Sequence, residues 1–373
     1  MIIVFLLLYF LIYGSLHVYI FIKVKSAFAF NTQISIYVGL FLFAMILSPV
    51  LVRMFGRKEL DSLARILSYI GYTWMGFLFL FCSASLVLDI LTYILGCFYK
   101  TNLISSAKVS FFISCVVSLC ISVYSYYEAK DIRVEKILIK SRKIPREAGN
   151  IKIVQISDVH LGLEVGKDRL TKIVNMIKDI NPDVLLSTGD LVDAATNSLD
   201  EYTRLLNELN PKYGKYAITG NHEYFAGIKE AADFIQKSGF KLLRGEAINV
   251  ENIINIAGID DSTSRMYGDF KNIPEERLLS DIKNDNYTIL LKHVPYVTKR
   301  SIPLFDLQLS GHTHKGQIFP FSIIVRLFYP RCAGFWRLGN DTDLYISRGT
   351  GTWGPLMRFM APPEITEIEL RFA

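Results

Sequence analysis

Four long runs of the chain, residues 1–22, 26–52, 66–88 and 109–127, carry no charged side chain at all. Each is close to the ~20 residues a helix needs to cross the hydrocarbon core of a bilayer. Gly39 and Pro49 fall inside them, as membrane spans tolerate. A soluble helical core would show a polar stripe at helical spacing, and these runs show none. The pattern therefore predicts four transmembrane helices within residues 1–127. Ala27-Phe28-Ala29 has the look of a processing site, but no Lys or Arg precedes the first run. A retained span is the expectation rather than a cleaved signal peptide.

Beyond this point the pattern changes. Residues 128–149 are charged and end in Pro145 and Gly149, which predicts a connector with one edge strand at 132–138. From 150 to 373 strand-like and helix-like runs alternate. Strands are expected at 151–156, 184–188, 215–219, 253–258, 287–292, 306–310, 343–347 and 365–371, and helices at 168–179, 198–209, 227–238 and 274–283. This is an α/β pattern that turns β-rich near its end. Two packed sheets with outer helices suit it better than one parallel sheet.

Charge sets an expected orientation. Arg53, Arg57, Lys58 and Arg65 lie between the second and third spans, and Lys130, Arg133, Lys136 and Lys140 follow the fourth. The alternate loops hold only Lys23 with Lys25 and Lys100 with Lys108. The more basic side faces the cytoplasm, so the soluble domain is expected there, on a bacterial inner or plasma membrane. Asp89 is expected as an interfacial acid and His17 as a packed histidine. The net charge of +6 is modest and partly reflects membrane flanks. With no basic helix interleaved with aromatics, nucleic-acid binding is not expected. Four of the five cysteines fall in the membrane half, and no Cys-based metal site or disulfide framework is visible. Nothing in the pattern specifies an oligomeric state.

Five of the six histidines lie beyond residue 150, each in a short polar motif next to an expected strand end. The series runs Asp158-Val159-His160, Gly189-Asp190, Gly220-Asn221-His222-Glu223, His293 and Gly311-His312-Thr313-His314. If the chain stays extended past the first strand, Asp158 and His160, two apart, face the same way and can meet one ion. Gly189, Gly220 and Gly311 are expected to permit sharp turns. Imidazole, carboxylate and carboxamide donors together favour Mn, Fe or Zn over a calcium cage. Two divalent cations sharing one carboxylate would lie about 3.5–4 Å apart, make hydroxide available near neutral pH and neutralise phosphoryl oxygens.

These motifs, in this order, resemble the calcineurin-like metallophosphoesterase superfamily over residues 148–373. The resemblance implies a two-sheet αββα sandwich with a dinuclear site at strand ends. It implies that Asp158, His160 and His314 hold one metal, that Asn221, His293 and His312 hold the other, and that Asp190 bridges them. His222 would bind no metal but donate a hydrogen bond or proton to the leaving oxygen, with Glu223 a supporting or turn residue. The tail Gly349-Thr350-Gly351-Thr352-Trp353-Gly354-Pro355, with Arg358 and Pro362-Pro363-Glu364-Ile365, resembles a membrane-associated bacterial branch that includes enzymes cleaving the pyrophosphate of UDP-diacylglucosamine. Related proteins often carry paired glycines after the last histidine, where this chain has Lys315-Gly316.

The apolar segment Phe319-Pro320-Phe321-Ser322-Ile323-Ile324-Val325, extended by Leu327-Phe328-Tyr329, has two readings: buried packing, or a lip that enters lipid or holds acyl chains. Lys315, Phe319, Phe321 and Arg358 are the candidate substrate contacts. A lipid-linked phosphate or pyrophosphate is the favoured substrate, since membrane spans keep the site near lipid. A soluble nucleotide or other phosphodiester is the alternative, and a degenerate membrane sensor or scaffold is a third reading.

Overall fold

A computed structural model describes the protein except residues 1, 59, 100–105, 194–198, 270, 272, 284 and 340. Lys100 and the first residue of the helix expected at 198–209 lie outside the described residues. The chain divides into two compact units, Met1–Tyr127 with Gly354–Met357, and Glu128–Trp353 with Arg358–Ala373.

The first unit contains α1 (Ile2–Phe28), α2 (Thr32–Arg57), α3 (Asp61–Tyr99) and α4 (Ala107–Lys130, running on into the second unit). All four are long and apolar enough to span a bilayer. The break between α1 and α2 is only residues 29–31, and Asn31 caps α2 by accepting from Ile34 N. Lys23 and Lys25 therefore belong to α1 rather than to a loop. α3 extends well past 88, so Asp89 lies inside a helix. Lys23 Nζ donates to both of its carboxylate oxygens (2.6 and 2.5 Å) and Tyr19 donates to it at 3.1 Å. His17 is buried, its Nε2 accepting from the Trp74 indole N–H at 3.0 Å.

The second unit is a layered sandwich. β1 (Arg133–Ser141) lies in the charged 128–149 segment, and β2 (Ile151–Ile156), α5 (Lys167–Ile180), β3 (Val184–Ser187), α6 (Leu199–Asn207), β4 (Lys215–Ala217), α7 (Asn221–Ala226), α8 (Ile228–Lys237) and β5 (Phe240–Leu242) follow. Then come β6 (Glu246–Val250), β7 (Ile254–Gly258), α9 (Glu275–Ser280), β8 (Tyr287–Leu291), β9 (Leu307–Ser310), α10 (Phe321–Phe328), β10 (Gly334–Arg337), β11 (Asp343–Ile346) and β12 (Glu364–Phe372). One six-stranded sheet has the order β1-β12-β2-β3-β4-β5, the other β10-β11-β9-β8-β7-β6. Strand side chains alternate between layers. Ile151, Ile153, Val184 and Leu186 meet Ile256, Ile289, Leu291 and Leu309 between the sheets, while Val154, Ile156 and Leu185 pack outward on Ile173 and Ile177 of α5 and Phe234 of α8. Leu290 packs outward beneath Leu278 and Leu279 of α9. This is the expected two-sheet α/β architecture, with helices on both outer faces.

β5, β6, β10, α7 and α10 add to the elements expected from the pattern. The parallel order β2-β3-β4 and the parallel pairing of β8 with β9 bring five strand ends and their loops to one edge.

Candidate metal centre

Each ligand motif sits just beyond the C-terminal end of a strand. Asp158 and His160 follow β2, Asp190 follows β3, Asn221 and His222 open α7 after β4, His293 follows β8, and His312 and His314 follow β9. The ligands expected from the motifs converge in two groups, and His160 also belongs to a third with Asp193 and His222. Asp158, His160 and His314 present ligand atoms within 4.8 Å of one another, and so do Asp190, His293 and His312. Asp190 joins the groups: its Oδ2 lies 3.2 Å from His293 Nε2 and 3.8 Å from His160 Nε2. Asn221 Oδ1 lies 3.0 Å from His312 Nδ1.

The local backbone corrects two expectations. β2 ends at Ile156, and the segment beyond it is not extended. Asp158 and His160 meet because both adopt left-handed backbone, with φ of 51° and 55°. Asp190, His312 and His314 are left-handed too, at 53°, 70° and 47°. Of the three motif glycines only Gly189 has positive φ (94°). Gly220 and Gly311 are needed for close approach instead: a Cβ on Gly220 would fall onto Asp190 Oδ1, and one on Gly311 onto Ser157 Oγ and Asp158 Oδ2.

Hydrogen bonds fix the remaining freedom. His312 N donates to both Asp158 oxygens at 3.0 Å. His293 Nδ1 donates to the Thr188 carbonyl at 2.8 Å, which fixes the ring with Nε2 turned toward Asp190 and His312. Glu223 is fully buried and accepts four backbone N–H groups, from Asp190 (3.0 Å), Leu191 (2.7 Å), Val192 (3.2 Å) and Gly220 (2.7 Å). It ties the Asp190 loop to the start of α7. Tyr329, just after α10, places its hydroxyl 3.2 Å from His312 Nε2.

His222 packs against the first group, its ring centroid 4.6 Å from that of His160, but is held as an acid. Its backbone N–H donates to Asp190 Oδ1 at 2.8 Å, and its Nδ1 lies 2.5 Å from Asp193 Oδ1. Burial alone would lower its pKa, but the Asp190 and Asp193 charges outweigh burial and raise it to about 9. The direction of that shift favours the protonated ring. Asp193 is a residue the motifs did not single out; its signal is a second acid three positions past Asp190.

Three of the other imidazoles are lowered toward the neutral state a metal needs, whereas the Asp190 carboxylate raises His293 well above its ordinary value. Burial drives His160 down to about 3 and His312 down to about 4, and lowers His314 as well. Burial would raise Asp158 and Asp190, yet His314 holds the first and His293 the second well below the usual carboxylate range. His160 Nε2 and His314 Nε2 face each other at 3.1 Å, with Asp158 Oδ1 3.3 Å from the latter. Imidazole, carboxamide and carboxylate donors converging in this way fit divalent cations.

The candidate substrate contacts divide. Phe319 and Phe321 are exposed and Lys315 is half-buried beside His314. Arg358 is a correction. It is fully buried and donates to the carbonyls of His314 (3.2 Å), Arg348 (2.7 Å), Gly351 (2.5 Å) and Ala361 (3.3 Å), and lies 3.0 Å from His314 Nδ1. It supports the His314 loop from behind and reaches no substrate.

Residues 151–316 match the family model described as calcineurin-like phosphoesterase. An uncharacterized metallophosphoesterase of Aquifex aeolicus is 38% identical over 256 residues, which is 68% of this chain and 98% of that protein. The chain belongs to the calcineurin-like metallophosphoesterase family. A metallophosphoesterase of Campylobacter jejuni is 32% identical and covers 97% of this chain, with 96% of its own length matched. A Danio rerio transmembrane protein with a metallophosphoesterase domain is 33% identical over 69% of this chain and 62% of that protein. Metallophosphoesterases of this family use divalent metal ions, and the two ligand groups described above lie within the matched residues. The family match and the helices together describe a metallophosphoesterase-type hydrolase unit preceded by four helices long and apolar enough to cross a membrane.

Proposed function

We propose that this metallophosphoesterase hydrolyses a phosphoester or pyrophosphate bond at a lipid-linked headgroup, with a dinuclear centre of Mn, Fe or Zn. The observation that carries the reading is Asp190, shared between two groups of ligands, with the His222 backbone N–H donating to its Oδ1. Asp158, His160 and His314 would hold one cation, Asn221, His293 and His312 the other, with Asp190 between them. When bound, the two cations supply hydroxide near neutral pH and neutralise charge building on the phosphoryl oxygens.

The chain's own residues account for the rest. His222, its Nδ1 engaged by Asp193, turns Nε2 toward the substrate and gives its proton to the leaving oxygen. Asp193 keeps that proton available by stabilising the imidazolium. Glu223 holds the Asp190 loop in register. A full ligand set with His222 in place speaks against a degenerate scaffold. The four apolar helices support the lipid headgroup, because a chain anchored in a bilayer has lipid substrates nearby. The basic segments after α2 and α4 favour a cytoplasmic catalytic unit. A soluble nucleotide is the second reading, favoured by Phe225 and Trp353, whose rings lie 5.3 and 5.9 Å from His222 and could stack on a base.

The test uses full-length protein purified in detergent. Bound Mn, Fe and Zn are measured, chelated and restored one at a time while lipid-linked phosphates and pyrophosphates are screened beside soluble nucleotides and diesters. Metal-dependent turnover confined to soluble compounds would overturn the lipid reading. Folded protein that takes up no transition metal would overturn the site.

A further inference from the structure

We infer that α10 and the residues around it form a surface that docks into the headgroup layer of an anionic bilayer. The inference does not require the substrate to be a lipid. Six of the eight residues of α10 are apolar, Ser322 and Arg326 being the exceptions, and none of the eight is buried. Leu327 is 77% exposed, Phe328 67% and Ile323 56%, a density of bare aliphatic and aromatic surface that water-facing helices do not carry. Ser322 and Arg326, four positions apart, share one face, and the broad apolar face opposite is of the kind ordinarily covered by a protein core or by lipid. Phe319, Phe335 and Trp336, just outside the helix, are exposed as well.

Charge identifies the cover. Residues 311–340 contain Lys315, Arg326, Arg331 and Arg337 and not one Asp or Glu. Arg326 and Arg331 are exposed beside the apolar residues. Apolar side chains rimmed by cations match an anionic lipid surface, where acyl boundary and phosphate lie a few ångströms apart. A hydrophobic protein partner would not call for the cations. A bilayer is also always within reach, because the chain carries four helices able to span one and β1 begins three residues after α4 ends. Docking here would set the mouth of the metal centre at lipid level, since Tyr329 at the end of α10 reaches His312 Nε2.

The test places a fluorescent reporter on α10 in the full-length protein. Exposed Cys97 and Cys120 are replaced by Ser, Leu327→Cys is labelled with nitrobenzoxadiazole, and the parent that keeps Leu327 measures background labelling. The protein is reconstituted into nanodiscs of phosphatidylcholine with phosphatidylglycerol. Docking predicts blue-shifted emission, loss of iodide quenching, and quenching by lipids with a spin label near the headgroup. The same label at Lys241→Cys, on the edge strand β5, stays accessible to iodide. Replacing Arg326 and Arg331 by Glu, or omitting phosphatidylglycerol, weakens lipid quenching at position 327. A water-like, iodide-quenched label at 327 overturns the inference. So does a label shielded from iodide but not quenched by spin-labelled lipid, which would mean that protein, a second copy included, covers the helix. Because the readout is not turnover, it stands or falls separately from the substrate assignment.

Discussion

Glu223→Gln is the most direct test of how the centre is held. The two side chains are nearly isosteric, so no cavity forms. The carboxylate accepts four backbone N–H groups, Leu191 and Val192 on Oε1 and Asp190 and Gly220 on Oε2. An amide has one oxygen, so whichever way it turns, two of these donors face an NH2 group and lose their acceptor. A buried donor without a partner costs about 1–3 kcal/mol, which puts the total near 4 kcal/mol. At roughly 2–4 °C per kcal/mol for a domain of this size, the thermal midpoint of the catalytic unit should fall by about 10 °C. The damage is concentrated at Asp190, whose own N–H is one of the four, so metal content should fall as well. The assay is differential scanning fluorimetry of the full-length protein in detergent, with bound metal measured on the same sample. A variant with wild-type midpoint and full metal content would refute the reasoning, because Glu223 would then be dispensable for positioning Asp190.

Other outcomes follow from the same geometry. If protonated His222 donates to the leaving oxygen, activity falls as pH rises through about 9, and removing the Asp193 charge by Asp193→Asn moves that limb to lower pH; a pH–rate profile of both proteins checks the direction. Gly311→Ala drives a Cβ into Asp158 and Ser157, and a shift of ligand atoms on that scale should cost on the order of 100-fold in kcat, whereas Gly339→Ala, whose Cβ meets only Ile302 at 3.8 Å, should be silent. Tyr329→Phe removes the hydroxyl at His312 Nε2 and should weaken metal affinity about 10–100-fold, read by competition with a chelating dye.

The parts of this architecture legible in the sequence are those set by local chemistry. Ile151–Ile156 and Tyr287–Leu291 are buried strands, and their apolar, β-branched runs say so before any contact is known. The ligands are visible because a polar Asp, Asn or His just past such a run has little other reason to be there. What stays hidden depends on residues distant in the chain. Arg358 reads as a surface cation near a Pro-rich tail, since Arg is almost never fully buried unless paired. Its partners are carbonyls at 314, 348, 351 and 361, which only the folded loops bring together. β5 is three residues long and has no pattern of its own. α7 begins inside the Asn221-His222 motif and is too short for helical periodicity. The segment at 319–329 has two readings because composition cannot say which side of an apolar helix is covered; the absence of any buried residue in α10 excludes core packing.

The left-handed backbone of the ligands bears on whether metal is needed for folding. Five of the proposed metal ligands, Asp158, His160, Asp190, His312 and His314, have φ between 47° and 70°. For a non-glycine residue this costs roughly 1–2 kcal/mol, a little less for Asp and His, whose side chains are tolerated there. Such strain persists only where the surroundings over-determine it, and here the loops brace one another without any ion. Asp158 N donates to Gly189 O at 3.0 Å and His160 N to Asp190 O at 3.0 Å, while Gly311 N donates to His293 O at 2.9 Å. His312 N and His222 N then close onto the Asp158 and Asp190 carboxylates. Every motif is thus tied to another by its backbone. Chelated protein should therefore keep a cooperatively folded catalytic unit, unlike small metal-nucleated domains. It should lose only the linkage stabilisation, about 2.7 kcal/mol per site at a hundredfold excess of free metal over Kd, and regain it when metal is returned. Hydrogen exchange at Asp158, Asp190 and His312 in metal-free protein gives the decisive reading. Fast exchange at all three, with loss of a cooperative thermal transition, would mean that the cations and not the backbone ties hold these loops in their strained form.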